Sequence, residues 1–277
     1  MKRLLTAVIV LPFLIASILV SWLWWLFVLL AAASMVLALW EFYLLAKRLQ
    51  LKPDPVPGFV AGAALITISI QNKEPDLNLV LFLLVIIVFV IATLIAAMLR
   101  GAPFDKMIAS TGATILGVLY VALLGTHLVL IRTGFEPQLS AHLLSFFFLV
   151  LMGSDAGAYY IGRALGKHKL APSISPGKTW EGAIGGVVAA LAMAALAHFW
   201  FFRELPLKLA LPLALAMSIV GILGDLVESA LKRSASAKDA ANILPGHGGL
   251  LDRLDSLLFN APLIYYFAVF YFRVLNG

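Results

Sequence analysis

In the run Gly224-Asp225-Leu226-Val227-Glu228-Ser229-Ala230-Leu231-Lys232-Arg233, the residues Asp225, Glu228, Ser229 and Lys232 fall at i, i+3, i+4 and i+7. A helix through this run therefore gathers them on one face. Two carboxylates, a hydroxyl and an ammonium on one stripe, at the end of a strongly apolar segment, suit a charged ligand or a hard cation rather than lipid. Glu228 and Lys232 taken alone also read as an ordinary i,i+4 ion pair where a helix reaches interfacial water. Asp225, one turn deeper, is the stronger functional candidate.

A second constellation follows: Lys238-Asp239, then Pro245-Gly246-His247-Gly248-Gly249, then Asp252-Arg253-Leu254-Asp255. Glycines let backbone N–H groups crowd around an anion without side-chain obstruction. His247 stands between glycines, which is no place for a core histidine. Asp252 and Asp255 open the last apolar helix, where carboxylates favour the positive helix end. They also suit Mg²⁺, which takes one or two carboxylates together with substrate phosphates. A third segment, Ser173-Ile174-Ser175-Pro176-Gly177-Lys178-Thr179-Trp180-Glu181-Gly182, contains Gly-Lys-Thr like the end of a phosphate loop. The full pattern fails, because Pro172 stands where the first glycine belongs, and no strand is expected before it. A loop of Ser, Thr and Lys leading into a helix still binds phosphate through that helix's N-terminus. The alternative is a plain helix cap, with Ser175 or Thr179 capping and Glu181 in the first turn. Finally, Asp155, Tyr159 and Gly162 share a face in Ser154-Asp155-Ala156-Gly157-Ala158-Tyr159-Tyr160-Ile161-Gly162-Arg163. The small residues there permit close helix packing, and Asp155 inside an apolar span needs a partner. His127, His142, His168 and His198 show no metal-ligand spacing.

The elements that must hold these residues are set by composition. The chain has 277 residues, 62% of them hydrophobic and 12% charged, against about a quarter charged in a soluble domain. Its mean hydropathy is +1.02. Long apolar runs recur from end to end, so the bilayer is the solvent for most of the chain and the spanning elements are helices. Nine spans are predicted, near 4–20, 22–46, 57–71, 78–99, 108–131, 141–165, 182–202, 207–231 and 256–274. The third is short enough to be tilted or partly re-entrant. Met1-Lys2-Arg3 resembles the start of a secretory signal, but the apolar character continues to Ala46 with no cleavage site. Two helices joined near Ser21 are expected instead.

Of the 20 Lys and Arg, only Lys73, Arg132, Arg203, Lys208 and Arg273 fall in outer loops when the N-terminus is placed inside. The other fifteen then lie in the cytoplasm. The net charge of +6 is thereby assigned to helix orientation and anionic headgroups or phosphates, and nucleic acid is not expected as a partner. Cysteine is absent, which excludes disulfides, thiolate nucleophiles and Cys-ligated zinc. The expected class is all-α: N-terminal transmembrane helices over 1–135, and over 136–277 a C-terminal transmembrane region whose site faces the cytoplasm.

The run Ser229–Asp255, SALKRSASAKDAANILPGHGGLLDRLD, resembles the signature of the phosphatidate cytidylyltransferase (CDP-diacylglycerol synthase) family at every fixed position. The SPGKTWEG and SDAGAYYIGR segments are similar to that family's too, whereas the first 150 residues match only as a hydrophobic pattern. The resemblance implies transfer of the cytidylyl group of CTP to phosphatidate, giving CDP-diacylglycerol and pyrophosphate, with Mg²⁺. It implies an integral protein of the inner (plasma) membrane in contact with membrane lipids, and a homodimer. On the matched positions, Asp225 and Asp252 would hold the metal with Asp255 nearby. Lys178, Lys232, Arg233 and Lys238 would neutralise phosphates, and His247 would contact a phosphate or assist proton transfer. Ser175, Thr179, Gly248, Gly249 and Arg253 would complete the substrate contacts. Such chemistry needs positioning and charge neutralisation more than a protein nucleophile. Two other readings fail on the residues. A CDP-alcohol phosphotransferase needs an Asp-Gly dipeptide, which the chain lacks. A secondary transporter would place its charges at the midplane in two related halves, not at one face of the C-terminal half.

Overall fold

The structure is a computed structural model that describes residues 2–71, 75–101, 104–237 and 249–275. Nine helices run through the described residues: α1 (Lys2–Leu19), α2 (Trp24–Arg48), α3 (Pro55–Gln71), α4 (Pro75–Leu99), α5 (Met107–Gly134), α6 (Pro137–Leu165), α7 (Trp180–Trp200), α8 (Leu207–Ser234) and α9 (Leu251–Ala268). Each coincides with one of the apolar runs predicted above. Seven of them are long and apolar enough to cross a membrane, while α3, at 17 residues, is apolar but shorter. The chain is thus a helical membrane protein, with one small hairpin among the described residues.

That hairpin corrects an expectation. The segment between α6 and α7, expected as loop, forms two short antiparallel strands, β1 (Lys169–Ala171) and β2 (Ser175–Thr179). Ser175 therefore sits in a strand, and the cap of α7 is Thr179, whose hydroxyl accepts the Gly182 N–H at 3.2 Å. Glu181, in the first turn, accepts the backbone N–H groups of Lys167 and His168 and pairs with the His168 ring at 2.6 Å. One carboxylate at the positive end of α7 thus ties down the whole entry to the hairpin.

Helix association in a membrane relies on close packing of small residues, since lipid is as apolar as leucine. α6 and α7 show this directly: a methyl on Gly157 would lie 2.7 Å from the carbonyl oxygen of Gly185. Two apolar cores result. One joins Phe146, Phe147 and Met217 of the C-terminal helices, and Phe202 between α7 and α8, with Ile18 and Phe27. The other joins Leu39, Tyr43 and Leu65 with Leu251 and Leu258 of α9. The start of α9 is therefore embedded against the N-terminal helices, and this fixes where its carboxylates point.

Candidate active site

The hairpin places a lysine over the end of α8. Lys178 lies next to last in β2, immediately before the Thr179 cap, and its Nζ sits 2.5 Å from Oδ2 of Asp225. Arg233, near the C-terminal end of α8, donates from Nε to the carbonyl of Ile174 at 3.2 Å and so clamps the turn of the same hairpin. Two cation contacts thus hold a polar strand pair that has no apolar face of its own to bury.

α8 and α9 meet at Gly224. A methyl there would lie 2.7 Å from the Asp255 carbonyl oxygen and 3.2 Å from Phe259, so only glycine permits this approach. The consequence is a knot of acidic groups. Asp225, Glu228 and Asp255 bring carboxylate oxygens within 4.8 Å of one another, with Glu228 and Asp255 buried. Were all three ionised, each pair would repel by about 3 kcal/mol at an effective dielectric of about 20. Lys232 answers part of this charge: its Nζ lies 2.6 Å from Glu228 and 2.5 Å from Asp252, bridging α8 to α9. Removing one partner from such a buried group would leave an uncompensated charge. Asp252 faces Lys232 and takes the Gly249 N–H at 3.0 Å on its other oxygen.

Glu228 tests whether a cation belongs here. Its side chain is 1% exposed; Lys232 pairs with its Oε2 at 2.6 Å, while Oε1 accepts no hydrogen bond. Buried acceptors left in that state are costly, and three hard oxygen donors around one point fit a divalent cation such as Mg²⁺. The carboxylates that gather here are Asp225, Glu228 and Asp255, so Glu228 joins two of the residues expected from the sequence, and Asp252 is linked to them through Lys232.

Asp225, Lys232, Asp252 and Asp255 open into a cavity of about 710 Å³, within the range of small-molecule sites. Its charged lining is Asp155, Arg163, Lys178, Asp225, Lys232, Asp252, Arg253 and Asp255, with Tyr159 and Thr179 beside them. Four acidic and four basic groups share it, a lining suited to a polyanion that carries a cation. Asp155 thereby finds its surroundings in this cavity, and Arg163 enters it from the last turn of α6. Of the residues expected from the sequence, Asp225, Asp252, Asp255, Lys178, Thr179, Lys232 and Arg253 come together here. Ser175 and Arg233 serve the hairpin instead and do not line the cavity, and Gly249 acts through its N–H on Asp252. Lys238, His247 and Gly248 lie outside the described residues.

Two contributors were not legible as such. Arg163 carried no spacing signal of its own. Glu41, in α2, is fully buried and accepts the N–H groups of Leu250 and Leu251 at 2.8 and 2.7 Å. The available signal was a lone carboxylate inside an apolar run, and the nearby Lys47 and Arg48 make it read as part of a helix end.

Comparison with known proteins gives a consistent result. The profile described as the Cytidylyltransferase family matches residues 1–271. A phosphatidate cytidylyltransferase of Bacillus subtilis (strain 168) is 51% identical over 118 residues, covering 43% of this chain and 44% of that protein. One from Haemophilus influenzae is 43% identical over 144 residues, covering 50% and 49%. One from Staphylococcus haemolyticus is 37% identical over 217 residues, covering 78% and 80%. The matched stretch thus spans about half the length of the first two relatives and four fifths of the third.

Proposed function

The chain belongs to the cytidylyltransferase family, and from that premise we propose that it transfers the cytidylyl group of CTP to phosphatidate, releasing pyrophosphate and forming CDP-diacylglycerol. The observation that carries this reading is the cavity in which Lys178, Lys232 and Arg253 face Asp225, Asp252 and Asp255 at the ends of apolar helices. One substrate is a lipid whose acyl chains stay in the bilayer, and the other is a soluble polyanion. A charged cavity at the ends of membrane helices serves both.

A phosphate oxygen of phosphatidate attacks the α-phosphorus of CTP in line. The new O–P bond forms as the bond from the α-phosphorus to the bridging oxygen breaks, and pyrophosphate carries the electron pair away. Lys178 and Lys232 neutralise phosphate charge at this step, and Arg253 adds a planar donor fork suited to phosphate. The start of α7, capped by Thr179, adds the positive end of a helix dipole. Asp225, Glu228 and Asp255 are the residues that would hold Mg²⁺, which supplies charge neutralisation across the phosphates when bound. Asp252 keeps Lys232 aimed between α8 and α9. The site lies on the cytoplasmic side of the plasma membrane, because the basic residues concentrate in the loops on that side, where CTP is available.

The experiment is incorporation of α-labelled CTP into chloroform-soluble lipid by purified protein supplied with phosphatidate and Mg²⁺. Phosphatidate-dependent transfer is expected. Hydrolysis of CTP to CMP without lipid labelling would replace this reading with that of a nucleotide hydrolase.

A further inference from the structure

The N-terminal helices hold few ionisable residues, and one of them is turned inward against the site. Glu41 lies in the second half of α2 and is fully buried. Its Oε1 accepts the Leu250 N–H at 2.8 Å and its Oε2 accepts the Leu251 N–H at 2.7 Å, across some 210 residues of chain. The first N–H groups of any helix lack intrahelical partners, and at α9 the N-cap residue Leu250 makes no side-chain cap of its own. The cap is instead supplied from α2, by a carboxylate that both satisfies the donors and favours the positive helix end. A buried carboxylate is expensive to keep for packing alone, and a leucine would serve that purpose better.

What the cap fixes is close to the chemistry. Asp252 is the residue after Leu251, and Asp255 lies one turn further on. The first holds Lys232 and the second completes the carboxylate trio with Asp225 and Glu228. Rotation or fraying at the start of α9 would shift both at once. Resting on the function proposed above, we propose that Glu41 is a positioning residue: its bidentate hold on the Leu250 and Leu251 N–H groups sets the register of α9 against α8, and through it the placement of Asp252 and Asp255. The N-terminal helices thereby contribute to catalysis without contributing a group to the cavity.

The test is Glu41→Gln, which keeps size and one acceptor but sets an amide N–H₂ against a backbone N–H, with Glu41→Ala beside it. Three readouts are taken on detergent-purified, monodisperse protein: turnover of CTP with phosphatidate, binding of Mn²⁺ alone followed by the loss of its free electron-spin signal, and thermal unfolding. Groups that orient metal-binding residues cost roughly 10–100-fold in metal affinity or activity when removed. Glu41→Gln is therefore expected to weaken Mn²⁺ binding and kcat by roughly 10–100-fold, while the KM for phosphatidate stays within about threefold, because Lys178 and the hairpin that carries it are untouched. Glu41→Ala is expected to lose at least as much. Wild-type Mn²⁺ binding and kcat in folded Glu41→Gln would overturn the proposal. So would a Glu41→Gln that loses activity only in proportion to its unfolded fraction, since that is a purely structural role. If wild-type protein itself neither binds Mn²⁺ nor turns over CTP, the fault lies with the proposed function, not with Glu41.

Discussion

Gly224→Ala separates the geometry of this site from its stability. The added methyl would sit 2.7 Å from the Asp255 carbonyl oxygen and 3.2 Å from Phe259, where ordinary contact begins near 3.4 Å. The nearest obstacle is main chain, which cannot rotate aside as a flexible side chain would. α8 and α9 must then part by about 0.7 Å, the difference between those contact distances. Overpacking of this kind costs about 1–3 kcal/mol. Replacing glycine by alanine inside a helix returns about 1 kcal/mol, so the net loss of stability is about 0–2 kcal/mol, small enough to leave a folded protein. The catalytic consequence is larger, because Asp255 moves away from Asp225 and Glu228, and a displacement near 1 Å can cost roughly a hundredfold in rate. We expect folded Gly224→Ala to lose between about tenfold and a hundredfold in kcat/KM for CTP, measured on detergent-solubilised protein beside thermal unfolding. Gly112→Ala in α5, where a methyl meets nothing within 4 Å, is the control and should keep full turnover. Wild-type turnover in Gly224→Ala would refute the claim that the α8–α9 approach sets the carboxylate trio.

Other consequences can be checked independently. Lys178→Ala should lower turnover by roughly 10²–10³-fold, the size expected for loss of a preorganised electrostatic contact, with unfolding little changed because its partner Asp225 is partly exposed. Glu228→Gln and Asp255→Asn should each abolish turnover at low Mg²⁺; Asp255→Asn should leave the metal-free protein as stable or more so, since it removes a like charge from the trio, whereas Glu228→Gln also takes a partner from Lys232 and should lower stability; a titration of activity against Mg²⁺ beside a melting curve checks both. Lys169→Cys, in a chain without cysteine, should react with a membrane-impermeant maleimide in inside-out vesicles and not in intact cells, and the opposite labelling would reverse the proposed orientation.

The helices were legible because a bilayer imposes one solution on a long apolar run, and every run that suggested a span became a helix. The hairpin was not, because Ser-Pro-Gly-Lys-Thr has no alternating apolar face; it is held by Arg233 and Lys178, contacts that exist only once α8 is in place. The i, i+3, i+7 stripe of Asp225, Glu228 and Lys232 was readable from helical periodicity alone. Which carboxylate groups with which was not, since that depends on Gly224 admitting Asp255 and on Lys232 bridging Glu228 and Asp252. Glu41 lay beyond reach for a similar reason, its partners being some 210 residues distant.

The most direct measurement uses purified protein in mixed micelles with α-labelled CTP, phosphatidate and Mg²⁺. Label should enter a chloroform-soluble product at the same rate as pyrophosphate appears, and both should vanish without phosphatidate or after chelation of Mg²⁺. Pyrophosphate release that continues without phosphatidate, or a lipid fraction that stays unlabelled while the folded protein binds CTP, would contradict cytidylyl transfer to phosphatidate.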